Sequence, residues 1–283
     1  MNKKAPEFKI AKTLDHGTNN PIINRISLQF FDILGRNLID LPEERIEKVK
    51  EYLFECMKDL IKAEESKNAY MTVENQAIQR IMSQKRVQFQ PHAFSYEDPT
   101  ENLKKHFEDF LIRCVIAIRK VVKIAEVVFL KSFDGPKNLK KYLKTLFPDS
   151  SPEIKVIEED SVWIKKLYDL RGKAEHDELA IESFDVAIPD DGRPLIKILR
   201  FPSSGVTIRE YLEVILENCF TFCEDMTVIL LNTRCSKKVQ IVLIPENLRP
   251  RYRDFKYVLD LRGKYKKKFL ETVKRVKTTL NSG

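Results

Sequence analysis

A single apolar seam in the middle of the chain restricts how the protein can fold. Its residues recur at steps of four and three, which is the spacing of one face of an α-helix. They are Leu103, Phe107, Phe110, Cys114, Ala117, Val121, Ile124 and Val128. Asp98-Pro99 is typical of a helix start, and Gly135-Pro136 is typical of a helix stop. A seam of two interleaved rows predicts a long helix packed against others, and hence a mainly α fold of the helical-bundle class.

Other apolar periodicities predict the remaining helices. We expect two separate helices over residues 42–65 and 72–85, and a short basic helix over residues 136–147. A further helix is expected to begin near Asp160-Ser161. A capping box opens the last one, which runs over residues 207–231.

Alternating and apolar runs predict a small amount of β-structure and an approximate domain organisation. A β-hairpin is expected near residues 183–201, with its turn at 189–194, and a short strand over 239–244. The sequence suggests three regions: an N-terminal helical region (1–95), a helical bundle (96–233), and a basic C-terminal strand and helix (234–283).

Composition excludes several classes of protein. The chain has only 8 Gly and neither of the glycine-rich phosphate-binding motifs, which argues against a glycine-cradled nucleotide fold. No run of 18 apolar residues is present, so no membrane span is predicted, and residues 1–20 lack the apolar core of a signal peptide. We therefore expect a cytoplasmic protein.

The five cysteines are interpreted as reduced core residues, because most lie in apolar helical patterns. Cys219 and Cys223 are four residues apart and could both touch a metal ion. No His or second Cys pair completes such a site, so we predict no metal and no cofactor.

The candidate functional residues are Arg171 and His176, at the polar end of an apolar helical segment. Arg carries a fixed, planar cation suited to phosphate, and His can exchange a proton near neutral pH. Together they can hold a phosphodiester and move protons around it without a metal. A second Arg–His pair with similar spacing, Arg86 and His92, is discounted because Pro91 does not fit within a helix.

The segment from Arg171 to His176 resembles the signature of the HEPN family, helical domains whose nuclease members carry Arg, four to six residues, and His. The resemblance extends less specifically over residues 96–233. It implies a metal-independent RNA endonuclease, such as a toxin or defence effector, that leaves a 2′,3′-cyclic phosphate. It also implies a homodimer that brings the two Arg–His pairs together, and an antitoxin or operon partner is compatible with it. Gly172 occupies a position where the family usually has a polar residue, often Asn.

Helix geometry leaves alternatives open at this motif. Five residues on a straight helix place two side chains about 140° apart, so either Gly172 relaxes the helix or a second protomer supplies a His. Glu175 and Asp177 flank the imidazole and could orient it. Alternatively, Arg171 only pairs with Glu175, and His176 is an ordinary helix cap.

A lysine-rich tail holds most of the excess positive charge. Residues 249–277 contain 12 Lys or Arg and 3 acids, in a chain of net charge +8. Lys264, Lys267 and Lys268, together with Lys173 beside the motif, are the candidate RNA-binding residues. The main alternative to a nuclease is a non-catalytic scaffold of the same fold that binds nucleotides, RNA or protein. A DNA-backbone binder acting through the tail is a third hypothesis.

Overall fold

The computed structural model describes residues 18, 20–36, 38–83, 97–187, 194–245, 247, 249, 256–263 and 266–267. This part of the chain is mainly helical, with two small β-hairpins, which confirms the predicted fold class. The helices are α1 (Pro21–Asn24), α2 (Phe31–Gly35), α3 (Glu43–Ser83), α4 (Thr100–Phe129), α5 (Pro136–Leu146), α6 (Pro152–Glu175) and α7 (Ile208–Asn232). A π-helical turn, Arg25–Phe30, joins the first two.

Helix α4 is the centre of the bundle. All eight residues of the predicted seam are fully buried, from Leu103 to Val128. Leu111, Val115 and Ile118, which lie outside the seam, are buried as well. The helix is covered on more than one side because α3 packs along it while α6 and α7 also contact it. A helix buried in this way supplies the core on which the other long helices are positioned.

The two ends of α4 are fixed by side chains. Asp98 Oδ1 accepts hydrogen bonds from the Thr100 backbone N–H at 2.9 Å and from its hydroxyl at 2.6 Å. The predicted stop at Gly135-Pro136 is wrong, because α4 ends at Phe129 and Leu130 takes a left-handed conformation with φ of 54°. The Glu126 carboxylate then accepts the Phe133 N–H at 2.9 Å and so holds the departing chain.

Helix α3 is continuous where two helices were predicted. No Gly or Pro lies between residues 65 and 72, so nothing interrupts the backbone ladder. The hydroxyls of Ser66 and Thr72 donate to the carbonyls four residues earlier, at 3.0 and 2.8 Å, so Thr72 does not cap a new helix. Buried Tyr70 fixes this part of α3 to the core. The region 1–95 thus contributes a helix that packs directly against α4.

Helix α6 begins earlier than the sequence predicted. It begins at Pro152, with Ser151 as its N-cap accepting the Ile154 N–H at 3.2 Å. The expected cap residues lie within the helix and have other partners. Asp160 accepts from the Trp163 indole at 2.8 Å, and the Ser161 hydroxyl donates to the Glu158 carbonyl at 2.7 Å. In contrast, the capping box that opens α7 at Thr207 is present as predicted.

Two antiparallel hairpins complete the described structure. Strands β1 (Asp185–Ala187) and β2 (Leu195–Lys197) form the predicted hairpin. The predicted turn at 189–194 lies outside the described residues except for Pro194. Strand β3 (Val239–Leu243) was also predicted. It pairs with β4 (Tyr257–Leu261), a strand that the sequence analysis missed within the basic tail.

Buried charge holds the N-terminal and C-terminal segments to the bundle. Glu224 of α7 is fully buried, and its carboxylate accepts two hydrogen bonds from Arg25. Arg25 Nε donates to Glu224 Oε1 at 2.5 Å, and Arg25 Nη2 donates to Glu224 Oε2 at 2.9 Å. Lys256, just before β4, lies 3.6 Å from the same carboxylate.

Four of the five cysteines are buried and all five are free, as predicted. Within the described ranges, no helix is both long and apolar enough to cross a membrane.

Candidate functional site

Arg171 lies one turn before the end of α6 and is already engaged by a carboxylate. Its guanidinium forms an ion pair with Glu175, four residues later on the same helix. The Arg171 side chain is 27% exposed and that of Glu175 is 43% exposed. A pair of this kind contributes only a few tenths of a kcal/mol, so a stronger anion can displace the glutamate. The ion pair between Arg171 and Glu175, which was the alternative interpretation of this arginine, is therefore present in the structure.

His176 is the C-cap of α6 and its side chain is exposed. Beyond it Asp177 adopts a left-handed conformation with φ of 54°. The Glu178 N–H donates to the Lys173 carbonyl at 2.8 Å, and the Asp177 N–H donates to the Ala174 carbonyl at 3.3 Å. These two bonds form a Schellman motif, which ends the helix and fixes the backbone position of the histidine. The imidazole is thus accessible and is carried on a well-defined turn.

Gly172 does not relax the helix. The α-helical conformation continues through it to Glu175, and a Cβ placed on it would meet no atom within 4 Å. In the part of the chain that the structure describes, no hydrogen bond or ion pair joins Arg171 to His176. The prediction that Gly172 distorts the helix and so brings Arg171 and His176 together is wrong. The alternative, that a second protomer supplies the histidine, remains a prediction.

Carboxylates collect around the His176 end of α6. Partial burial raises the pKa of Glu108, on α4, and the negative charges of Asp177 and Asp109 raise it further, whereas Lys104 acts in the opposite direction. Because Asp177 lies near Glu108 and Glu175 is paired with Arg171, neither flanking acid is shown orienting the histidine ring. A phosphate that approaches His176 must therefore overcome local negative charge.

A second guanidinium lies beside Tyr168, the residue one turn before Arg171 on α6, and was not identified from the sequence. Arg119 of α4 lies over the ring of Tyr168, 5.8 Å from its centroid. Burial raises the pKa of Tyr168, while the charges of Arg119 and Arg171 lower it, so both cations lie close to this phenol. Arg119 is exposed and falls outside the α4 seam, which is the sequence feature that identifies it as a surface cation.

The chain beyond the site returns to the start of α4. The Phe184 N–H donates to the Thr100 hydroxyl at 3.1 Å, and Phe184 itself is buried. The β1–β2 hairpin follows directly, so it is tethered at the same end of the bundle as the motif.

The remaining predicted residues are not gathered at the motif by any described contact. Lys173 is exposed on α6, and Lys267 is exposed beyond β4. Lys264, Lys268 and the discounted Arg86–His92 pair lie outside the described residues. Among the residues that are described, no group of three or more His, Cys, Asp and Glu side chains is arranged to hold a metal ion.

Comparisons with known protein families, with curated proteins and with solved structures found no significant match.

Proposed function

We propose that this protein is a HEPN-like RNA endonuclease that uses Arg171 and His176. The observation that carries the proposal is their placement at one end of a helical bundle, with an exposed imidazole on the turn that ends α6 and a partly exposed guanidinium one turn before it. Arg119 adds a second cation at Tyr168, one turn before Arg171 on the same helix. Such a site can attract an RNA phosphate while leaving the histidine free to exchange a proton.

The proposed reaction needs three groups. An imidazole takes the proton of the RNA 2′-hydroxyl, whose oxygen attacks the adjacent phosphorus. A guanidinium neutralises the charge that builds up on the non-bridging oxygens, and a bidentate contact is the favoured geometry. The bond to the 5′-oxygen breaks as that oxygen receives a proton from a second acid. The products are a 2′,3′-cyclic phosphate and a 5′-hydroxyl end.

A homodimer supplies the second acid in this proposal. Arg171 and His176 are about 140° apart around the helix axis, by the geometry of five helical residues, so they do not face one point. If two copies meet through this end of the bundle, His176 of one faces Arg171 of the other, and two imidazoles serve as base and acid. A toxin or defence effector is the biological role that we associate with this activity.

The decisive experiment compares RNA cleavage by the wild-type protein and by His176→Ala in EDTA. We expect the variant to lose cleavage while its circular dichroism spectrum and unfolding midpoint stay unchanged, because the side chain is exposed. His106→Ala, on α4, is the matched control and should cleave normally. Equal cleavage by His176→Ala and wild type would reject the nuclease proposal.

The second candidate is a non-catalytic scaffold of the same fold that binds RNA, nucleotides or protein. The observation that favours it is the occupied state of Arg171, whose charge is already met by Glu175. The acids around Glu108 point the same way. A scaffold predicts no cleavage product from the wild-type protein in EDTA, together with saturable binding that His176→Ala leaves unchanged.

A further inference from the structure

A cavity of about 490 Å³ opens between α5, α6 and α7, and neither Arg171 nor His176 lines it. This volume lies in the range of sites that hold a small molecule. Its floor consists of buried apolar side chains contributed by all three helices. They are Leu139, Leu143, Ile157, Ile164, Phe222 and Met226. A floor of this kind favours a ligand with an apolar body.

The rim of the cavity is positively charged. Lys137 and Lys140 of α5 and Lys165 of α6 line it, and no Asp or Glu is among the described residues that do. Lys140 Nζ donates to the Ser161 hydroxyl at 2.9 Å, which is a neutral partner. In the described part of the chain, none of the three ammonium groups forms an ion pair, whereas Lys144 on the next turn of α5 is paired with Glu158 at 2.5 Å.

We propose that this cavity binds a small organic anion with an apolar body, of the kind represented by a medium-chain carboxylate. The apolar chain would cover the floor and leave water. The carboxylate would accept hydrogen bonds from Lys140 and Lys165, with Lys137 nearby. The apolar floor alone or the positively charged rim alone would accept many ligands. Together they select molecules that carry both an apolar chain and a negative charge.

The cavity also contacts the neighbourhood of the motif. Tyr168 forms part of its wall and precedes Arg171 by three positions on α6. Residues three apart on a helix are neighbours, so a bound ligand would touch the side chain that stands between the cavity and the two guanidiniums. The inference does not depend on the proposed nuclease, because the cavity, its floor and its rim are separate from Arg171 and His176.

A built-in reporter allows binding to be measured. Trp163 is the single tryptophan of the chain, and its ring meets the Phe222 ring edge-on with centroids 6.0 Å apart. Because Phe222 lines the cavity, decanoate bound there should change the tryptophan fluorescence saturably. The titration is made below the concentration at which decanoate self-associates. Three control ligands separate the two contributions. Decanol has the alkyl chain without a charge, decyltrimethylammonium has the alkyl chain with a positive charge, and acetate has the carboxylate without a long alkyl chain.

The expected order of affinity is decanoate, then decanol, with decyltrimethylammonium and acetate far weaker. Lys140→Gln and Lys165→Gln should each weaken decanoate binding roughly fivefold or more, since each removes a charged hydrogen-bond donor. Lys166→Gln, one position along the same helix and outside the cavity lining, should bind as wild type does. The proposal is overturned if decanoate gives no saturable change, if decanol binds equally well, or if Lys165→Gln and Lys166→Gln have the same affinity.

Discussion

The guanidinium of Arg171 is paired with the carboxylate of Glu175, one turn later on α6. This contact occupies the cation on which the proposed chemistry depends. It is a partly exposed pair within one helix, and pairs of this kind contribute little free energy. In the proposed nuclease, Glu175 therefore acts as a weak intramolecular competitor of an RNA phosphate for Arg171.

Replacing Glu175 should release this cation. We expect Glu175→Gln to bind a short RNA about 1.5- to 2-fold more tightly at fixed salt, because a pair worth a few tenths of a kcal/mol no longer competes. Fluorescence anisotropy with a labelled oligonucleotide measures the dissociation constant. Glu178→Gln, which removes the same charge nearby, is the control. Equal gains from both variants would show that Arg171 has no special role.

Gly172 is expected to tolerate a side chain. Its backbone is helical and a Cβ there meets open space, so Gly172→Ala should raise the free energy of unfolding by about 0.5–1 kcal/mol. Urea denaturation provides the measurement. Gly205→Ala is the matched control and should destabilise the protein, because Gly205 has a φ of 68° that an alanine adopts only with strain. A loss of stability in Gly172→Ala would contradict the helical geometry described here.

The buried pair of Arg25 and Glu224 should dominate the attachment of the N-terminal segment. In Arg25→Ala, Lys256 is the one cation among the described residues that still pairs with the fully buried Glu224 carboxylate, so we expect a loss of about 3 kcal/mol in the free energy of unfolding. Arg36→Ala breaks an exposed pair with Asp32 and should cost less than about 1 kcal/mol. Chemical denaturation of both variants measures the difference. Similar costs would mean that burial of Glu224 is unimportant.

Glu108 should make stability depend on pH. Because its pKa is raised in the folded protein, its contribution to stability is present below the ordinary glutamate pKa and is lost as the pH rises through the raised value. Glu108→Gln should therefore melt at a higher temperature than wild type near pH 7, and the gap should close toward about pH 4. Thermal melts across this range test it, with exposed Glu213→Gln as the control. A pH-independent gap would exclude a titration effect.

Sequence patterns correctly predicted the features of a helix that depend only on residues close in sequence, namely its buried face and its N-terminal cap. The α4 seam is buried throughout, and the Thr207 capping box opens α7, because helical periodicity and capping act within a few residues. The same reasoning misjudged α3, where Ser66 and Thr72 were taken to lie at or near a break. Their hydroxyls bond back into the helix instead, and the core contacts of Tyr70 keep the helix continuous.

For this protein, the sequence alone determined the mainly helical class, the buried α4 and the placement of Arg171 and His176 near the end of one helix. Only the tertiary structure decided that Arg171 is engaged by Glu175, that Arg119 approaches Tyr168, and that β4 pairs with β3. It also decided that three lysines, none of which forms an ion pair within the described part of the chain, lie at the rim of one apolar cavity. The reason is physical. Helix periodicity depends on residues close in sequence, whereas the contacts that a charged side chain makes and the shape of a cavity depend on how the side chains are arranged once the helices have packed.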